Sequence, residues 1–267
     1  MKRMKSILCI LLCTACLLSL VGCGKDVETL SVRGLNFDEL EAEEISDASL
    51  KAHWDAYQEN HLDLPLYKVY NESGVLCLNV AANNEKGPFS FYTGYHQLFA
   101  EDLGEWGGWV SVGNFASELS LGNINLEHII THEGVIGIYA ERTSDSPAYI
   151  VTCTYNNCTV YRFTDLLEEG WELETVTTMK LNPTAALLDD RQLIIAAGEG
   201  LYSVDVETGE QKTLYTSEGW WAVQANSMVK IGDRYYIGSS LGVLEYRISD
   251  QKMLFFPYPK QTAEDGE

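Results

Sequence analysis

One stretch of sequence decides the predicted fold: Gly200-Leu201-Tyr202-Ser203-Val204-Asp205-Val206-Glu207-Thr208-Gly209-Glu210. It opens on glycine, continues as a short β-rich run and ends in a polar Thr-Gly turn, which is the pattern of a strand entering a hairpin. The same Gly-apolar-x-x-apolar-polar-apolar unit recurs 42 residues later, at 242–248. Related copies lie at 157–163 and 74–80. The chain is therefore predicted to repeat one strand-and-turn unit.

Each copy is surrounded by further strands. An apolar strand precedes every unit, and these strands cover 66–70, 149–153, 193–197 and 235–238. A turn and another strand follow the last two units, and a fourth strand at 227–231 precedes the final group. Four-stranded meanders that repeat at about 40–45 residues are typical of β-propeller blades. A sandwich or a plain barrel would explain the strands and turns but not the recurring unit.

We therefore expect an all-β domain over residues 63–260, built as a β-propeller-like set of about five four-stranded blades. The spacing leaves room for one degenerate blade around 106–130, and the first half of the domain matches the repeat loosely. The propeller is thus expected to be irregular or incomplete. An incomplete propeller would pair its open edge with another chain. The last residues, 261–267, form an acidic tail.

Residues 200–210 also resemble a known repeat. An apolar strand ends in Asp205 and the turn Thr208-Gly209 leads to the next strand, as in the repeat of quinoprotein-like (PQQ-like) propellers. The tryptophan that usually closes that repeat is replaced here by Leu214-Tyr215. Lipoproteins built on such repeats include the scaffold subunit of the outer-membrane assembly machinery. The resemblance implies a propeller fold, and because these repeats also occur in proteins without a quinone, no cofactor is predicted.

The first 22 residues predict a secretory signal peptide. Residues 1–5 are positively charged, and the apolar run 6–21 has 16 residues, short of the roughly 20 that span a bilayer as a helix. Leu20-Val21-Gly22-Cys23 resembles the bacterial lipobox, in which the cysteine receives acyl chains such as palmitate and becomes the mature N-terminus. We therefore expect a lipid anchor on Cys23, a tether over 23–35 and an outward-facing position on a bacterial cell membrane.

Residues 36–62 differ from the rest of the chain, and they predict one amphipathic helix over about 46–61. Ser46 or Asp47 is the expected cap of this helix. Large side chains recur in it at spacings of three and four, and we expect this stripe to pack on the β-domain: Leu50, His53, Trp54, Tyr57 and His61.

The chain is strongly acidic, with 39 aspartates and glutamates against 18 lysines and arginines and a formal net charge of -21. Such a surface repels nucleic acid and anionic lipid headgroups, so nucleic acid is not an expected partner. It suits a basic partner or divalent cations, and it also keeps an exported protein soluble.

Three cysteines follow the lipobox: Cys77, Cys153 and Cys158. An odd number leaves at least one outside any disulfide. Cys153 and Cys158 flank the turn-like residues 154–157, so the two sulfur atoms would face each other across a hairpin. A disulfide and a pair of small buried side chains both remain open. The mature chain has no Cys-x-x-Cys pair, and neither a zinc site nor a thioredoxin-type site is predicted.

No catalytic or metal-binding residue is predicted. His128 and His132 stand four residues apart in a β context, where they would lie roughly 13 Å apart, and Glu133 follows the pair, so we expect a turn at 132–134. The sequence lacks nucleophile-elbow, phosphate-loop and calcium-loop motifs. Four acids near predicted strand ends keep one alternative open, an enzyme that acts on extracellular glycan through paired carboxylates in the propeller channel: Glu133, Glu141, Glu199 and Glu218.

Four tryptophans stand beside glycines, in or near predicted loops: Trp106, Trp109, Trp220 and Trp221. Their rings would either bind a glycan or protein ligand or fill the core between blades. With no catalytic motif, the expected function is that of a membrane-anchored lipoprotein that binds or scaffolds a protein or glycan partner through loops at one face of the propeller.

Overall fold

The structure, a computed structural model, describes residues 31–32, 42–60, 66–81, 89–93, 96–102, 108–114, 128–141, 146–166 and 169–257. The predicted signal peptide, Cys23, most of the tether, Trp106 and the acidic tail lie outside the described residues. Everything described belongs to one unit, residues 31–267. The one α-helix of the described residues is not long and apolar enough to cross a membrane.

The described chain forms twenty strands, one α-helix and one short 3-10 helix. Their bounds are β1 (Ser31–Val32), β2 (Glu43–Glu44), α1 (Asp47–Asn60), β3 (Leu66–Glu72), β4 (Val75–Ala81), β5 (Phe89–Tyr92), β6 (His96–Asp102), β7 (Gly108–Asn114), β8 (His128–Thr131), β9 (Gly134–Ala140), β10 (Ala148–Thr154), β11 (Asn157–Asp165), β12 (Trp171–Met179), β13 (Pro183–Asp189), β14 (Gln192–Ala197), β15 (Gly200–Asp205), β16 (Gln211–Thr216), the 3-10 helix Trp220–Ala222, β17 (Ser227–Ile231), β18 (Arg234–Gly238), β19 (Gly242–Arg247) and β20 (Lys252–Pro257).

These strands form five antiparallel sheets. Sheet 1 has the order β1-β4-β3, and sheets 2, 3 and 4 are the meanders β5–β8, β9–β12 and β13–β16. Sheet 5 is the meander β17–β20 with β2 added at its outer edge. The repeated unit found in the sequence lies on the third strand of sheets 3, 4 and 5, which are β11, β15 and β19. The first residue of each unit (Asn157, Gly200 or Gly242) and the apolar residues after it thus occupy equivalent places in successive meanders.

The sheets are arranged as neighbouring blades. The first strand of each meander is the one that meets the next sheet, since β9 contacts β13, β13 contacts β17, and β17 contacts β3. Sheet 2 joins this series through contacts of β5, β6 and β7 with β9. The predicted fold class is confirmed: the described residues are all-β and β-propeller-like, with sheets of three to five strands and, among those residues, one α-helix, which lies before β3.

The core lies between the sheets, and sheets 3, 4 and 5 have an apolar cluster on both faces. In β14, Leu193 and Ile195 pack against sheet 3, whereas Ile194 and Ala196 pack against sheet 5. Side chains of a strand alternate between its two faces, so a strand buried on both faces reads as a continuous apolar run. This explains why residues 193–197 carry no polar side chain.

Residues 200–210 form the predicted strand and the turn after it, and Asp205 and Gly209 account for that turn. The Asp205 carboxylate accepts hydrogen bonds from the backbone N–H groups of Thr208 (2.9 Å) and Glu207 (3.0 Å), and these bonds lower the pKa of Asp205. Gly209 closes the turn at a φ of 73°, a left-handed conformation that favours glycine. The strand-ending aspartate therefore stabilises the turn into β16.

The predicted helix is confirmed as α1, and Ser46 caps it. The Ser49 N–H donates to Ser46 Oγ and the Ser46 N–H donates to Ser49 Oγ, both at 3.1 Å, which is a reciprocal capping box. Leu50 is fully buried between sheets 4 and 5, and Trp54 packs beside it. The Tyr57 side chain and His61 lie outside the described residues.

Candidate functional site

The candidate site is a pocket of about 600 Å³ where the start of α1 meets sheet 4. We call it the α1 groove. It is formed by the start of the helix, the turn between β14 and β15, and the loop after β16. The lining residues are Asp47, Gly198, Glu199, Tyr202, Thr216, Ser217, Glu218 and Trp221. Three of these eight residues are acidic and two are aromatic.

Asp47 joins the helix to the loop after β16. Its carboxylate accepts a hydrogen bond from the Ser217 hydroxyl and another, at 3.0 Å, from the Gly219 N–H. The bond from Ser217, followed by the one from Gly219, lowers the pKa of Asp47. A Cβ at Gly219 would lie 3.1 Å from Asp47 Cα and 3.2 Å from Leu50 Cβ, so glycine permits this close approach. The groove thus contains a carboxylate that is held in place and ionised.

The two neighbouring tryptophans of the 3-10 helix, Trp220 and Trp221, have different surroundings. Trp220 is 1% exposed, lies in the core between sheets 4 and 5, and donates from Nε1 to the Ala197 carbonyl at 2.7 Å. Of the two roles that the sequence left open for this ring, the structure has the second, since Trp220 fills the core between two blades. Trp221 is 51% exposed and lines the groove.

The Trp221 ring is oriented by the helix. It meets Trp54 edge-on, with ring centroids 5.4 Å apart and an angle of 73° between the rings. Such edge-to-face pairs are favourable beyond the area that they bury. Trp54 therefore holds one side of Trp221, while half of the Trp221 surface remains open to solvent.

Glu199 and Tyr202 form the opposite side of the groove. Burial, and secondly the charge of Glu199, raise the pKa of Tyr202, so its phenol stays protonated and able to donate a hydrogen bond. Among the ion pairs of the described residues, none includes Glu199 or Glu218. The groove therefore presents carboxylates whose charge the described part of the protein does not neutralise by direct contact.

A second pocket of about 340 Å³ adjoins the first, and Glu199 and Tyr202 line both. Its remaining lining includes Lys180 and Lys212, and Lys212 forms an exposed ion pair with Glu210 at 3.3 Å. The first pocket thus has the acidic residues Asp47 and Glu218 on one side of Glu199 and Tyr202, and the second pocket has the two lysines on the other side.

The other predicted site residues lie elsewhere. Trp109, on β7, is half-buried and donates from Nε1 to Glu101 Oε2 at 3.1 Å, and it does not line the groove. Glu133, between β8 and β9, accepts hydrogen bonds from the hydroxyls of Thr152 and Tyr161. The structure thus unites Glu199, Glu218 and Trp221 from the predicted set and separates them from Trp109 and Glu133.

The two hairpin cysteines face each other. Cys153 and Cys158 are directly opposed in the β10–β11 ladder, and no disulfide joins them in the structure. The Cys153 Sγ–H donates instead to Asn182 Oδ1 at 3.0 Å, and Cys158 is buried in the core between sheets 3 and 4. Of the two arrangements left open by the sequence, the structure has the unbridged pair.

The predicted turn at 132–134 separates β8 from β9, and His132 is exposed there. Over the described ranges, no group of three or more His, Cys, Asp or Glu side chains is arranged to hold a metal ion.

Sequence reasoning missed Asp47 and Tyr202 as site residues. Asp47 meets Ser217 across a separation of 170 residues, which no local motif reveals. The available signal was the pair of Glu-Gly turns, Glu199-Gly200 and Glu218-Gly219, which place acids at two loops on the same end of sheet 4.

No protein-family model matches the chain, and no curated protein matches its sequence. Similar solved structures include a nidogen/laminin complex, at 13% identity and a TM-score of 0.43 over 73% of this chain and 77% of that one. The AfRom2 CNH domain has 12% identity and a TM-score of 0.42 over 68% of each chain. The extracellular domain of a one-component system from B. thetaiotaomicron has 14% identity and a TM-score of 0.42 over 74% of this chain and 27% of that one. At these values, none of them assigns a family or a function to the chain.

Proposed function

We propose that this chain is an extracytoplasmic lipoprotein, anchored through acyl chains on Cys23, whose β-propeller-like domain binds a positively charged protein segment at the α1 groove. The predicted signal peptide and the lipobox-like sequence before Cys23 support the location. The observation that carries the binding function is the half-exposed Trp221 in a pocket with three carboxylates. A β-propeller-like fold is compatible with a binding or scaffold module.

The chemistry of the groove favours a lysine or arginine side chain. The apolar stem of such a side chain can lie along the Trp221 ring, whose face also attracts a cation. The charged head then comes close to the carboxylates of Asp47, Glu199 and Glu218. A single exposed ion pair contributes at most about 1 kcal/mol, so binding requires the aromatic contact and several carboxylates together.

The second pocket restricts where the positive charge of a partner is placed. Lys180 repels a cation on its side of Glu199 and Tyr202, and Lys212 does so less strongly because it is paired with Glu210. A basic segment is therefore expected to enter on the Asp47 and Trp221 side and to carry neutral or acidic residues where it passes the two lysines.

Binding can be tested on the purified full chain in detergent, with a fluorescein-labelled hexalysine peptide followed by fluorescence anisotropy and a hexaglutamate peptide as the control. The double variant Glu199→Gln, Glu218→Gln is expected to weaken hexalysine binding about tenfold, since two ion pairs of up to about 1 kcal/mol each are lost. Trp221→Ala is expected to weaken it by a similar factor through the lost cation–π contact.

The matched control is the double variant Glu169→Gln, Glu172→Gln, which removes the same charge from exposed residues around the start of β12 that occur in none of the ion pairs of the described residues. If this variant weakens hexalysine binding as much as the groove variants do, the peptide responds to the net charge of the protein and the groove is not its site. No difference in affinity between hexalysine and hexaglutamate would also contradict the proposal.

The anchor is tested separately. The Cys23→Ala variant is expected to move from the membrane fraction to the soluble fraction of a bacterial host and to lose incorporation of labelled palmitate. If the variant stays in the membrane fraction and keeps the label, the proposed lipid anchor on Cys23 is wrong, whatever the groove binds.

A second candidate function rests on one observation, that Glu199 and Glu218 line the same pocket as two aromatic rings. Paired carboxylates beside rings that stack on sugars are the parts of a glycoside hydrolase. This alternative predicts release of reducing sugar from cell-wall glycan, and loss of that release in both Glu199→Gln and Glu218→Gln. Activity that survives both changes, or that never appears, excludes this pair as catalytic carboxylates for that substrate.

A further inference from the structure

The β10–β11 hairpin contains a second chemical feature, the thiols of Cys153 and Cys158. The two residues are paired directly across the antiparallel ladder, so their side chains lie on the same face of sheet 3. Directly opposed residues have Cα atoms about 4.5–5.5 Å apart, and disulfides form at Cα separations of about 4.4–6.8 Å. The backbone therefore already has a spacing that a disulfide accepts.

The thiol of Cys153 is connected to the α1 groove by two hydrogen bonds. Its Sγ–H donates to Asn182 Oδ1 at 3.0 Å. The main-chain carbonyl of the same Asn182 accepts the N–H of Gly198 at 3.0 Å. Gly198 lines the groove and precedes Glu199 in the turn between β14 and β15. One residue, Asn182, thus contacts both the thiol and the turn that forms one side of the groove.

We propose that Cys153 and Cys158 are a reversible dithiol–disulfide pair, and that its oxidation loosens the turn at Gly198 and Glu199 that lines the α1 groove. A disulfide sulfur carries no hydrogen, so oxidised Cys153 cannot donate to Asn182. Asn182 then loses one of the contacts that fix it, and the Gly198 N–H loses part of the support for its hydrogen bond. The pair acts as a redox-sensitive control of the groove.

The oxidant is a small-molecule disulfide such as oxidised glutathione. The thiolate of the partly exposed Cys153 attacks one of its sulfur atoms, a mixed disulfide forms, and one glutathione thiolate leaves. The Cys158 thiolate then attacks the Cys153 sulfur and displaces the second glutathione. Two protein thiols are oxidised and one glutathione disulfide is reduced to two thiols. Burial raises the pKa of Cys158 to about 12, so this second step is expected to be the slow one.

The bridge is tested on the purified full chain in detergent. The protein is treated with oxidised glutathione, the remaining thiols are labelled with a maleimide under denaturing conditions, and the peptides are mapped by mass spectrometry. A cross-linked peptide containing Cys153 and Cys158, with Cys77 still labelled, is the expected result. Persistent labelling of both hairpin cysteines, or a bridge from either of them to Cys77 or to another chain, would overturn the proposal.

The effect on the groove is tested by hydrogen exchange of the oxidised and the reduced protein, a readout that does not depend on the partner proposed above. The Gly198 amide is expected to exchange faster after oxidation, by at most about tenfold, because loss of one whole hydrogen bond sets the upper limit. In Cys153→Ser a hydroxyl keeps the donor to Asn182 and cannot be bridged, so the oxidant should leave Gly198 exchange unchanged. Equal Gly198 exchange in oxidised and reduced wild-type protein would show that the bridge is not linked to the groove.

Discussion

The two faces of sheet 5 pack against different kinds of surface. The face toward sheet 4 is covered by a large apolar cluster that includes Trp220, Ile237 and Phe255 and is completed by Leu50 of α1. The face toward sheet 1 has a smaller apolar cluster, centred on Tyr236 and Val243. The face toward sheet 1 also contains a buried carboxylate, that of Glu245. The first interface is held by apolar burial, and the second combines a small apolar core with a charged cluster.

The charged cluster is centred on Glu245, which is 1% exposed. Its two carboxylate oxygens accept hydrogen bonds from Arg234 (3.1 Å) and Arg247 (2.8 Å). Glu245 is directly opposed to Tyr236 in the ladder, so it lies on the face of β19 that meets sheet 1. A further bond, from the Val69 N–H to Ser227 Oγ at 2.8 Å, joins β3 to β17. The hydrogen bonds of Glu245 thus join strands of sheet 5 on the face toward sheet 1, whereas the bond of Val69 crosses from sheet 1 to sheet 5.

The largest test of this comparison is the replacement Trp220→Ala in the apolar interface. It removes a fully buried ring and its bond to Ala197, and we expect the free energy of unfolding to fall by about 3–5 kcal/mol in urea titrations. Trp221→Ala, the next residue, removes a half-exposed ring and should cost about 1 kcal/mol or less. Equal losses for the two variants would mean that Trp220 contributes no more to the core than a surface ring does.

The second test breaks the charged interface. Glu245→Gln removes the charge but keeps a side chain of similar shape, and we expect a loss of about 2 kcal/mol, since hydrogen bonds to charged groups contribute about 1.5–3 kcal/mol. Hydrogen exchange should increase in β3 and β4 of sheet 1 and change little in β14 and β15. The control is Asp233→Asn, an exposed carboxylate 3.7 Å from Arg234, for which about 0.5 kcal/mol or less is expected. Faster exchange in sheet 4 than in sheet 1 would contradict the difference between the two faces.

The sequence predicted sheets 3, 4 and 5 more completely than it predicted sheet 1. The unit at 200–206 recurs because each third strand of sheets 3, 4 and 5 has the same neighbours, so the same residue types are required in each copy. Sheet 1 has three strands and includes β1, which comes from a distant segment of the chain. Its pairing partner could not be read from local spacing.

The groove was predicted only in part. Trp221 was a candidate because it stands near a glycine in a predicted loop, and Glu199 and Glu218 were candidates because they lie near predicted strand ends. Nothing in Gly219-Trp220-Trp221 indicated that one ring would be buried and the next exposed, because the 3-10 geometry and the docking of α1 decide it. Contacts between distant segments are set by tertiary packing and leave no periodic signal in the sequence.

A smaller test concerns how α1 completes the apolar interface. Ser46→Ala removes the side chain that accepts the Ser49 N–H, and loss of a serine cap costs about 0.5–2 kcal/mol. We expect a lower Tm together with faster hydrogen exchange in the first turn of α1. Ser46→Asp, which restores an acceptor at the same position, should recover most of the loss. If Ser46→Asp is as unstable as Ser46→Ala, the contribution of Ser46 is not that of a cap.

The smallest effect is expected for Asp47→Asn, and its pH dependence identifies its origin. The bonds from Ser217 and Gly219 lower the pKa of Asp47 below its ordinary value of 3.8, so the folded protein binds a proton at this site less readily than the unfolded chain does. The carboxylate therefore stabilises the protein at pH values above the unfolded pKa, and this contribution is lost as the pH falls through the folded pKa. The difference in Tm between wild type and Asp47→Asn should be constant from pH 5 to pH 7 and should shrink below about pH 4. Asp55→Asn, which removes an exposed carboxylate of the same helix, should change the Tm less than Asp47→Asn at neutral pH. A difference that stays constant down to the lowest pH would assign the effect of Asp47→Asn to side-chain shape, and the charged contact between α1 and the loop after β16 would then contribute nothing to this interface.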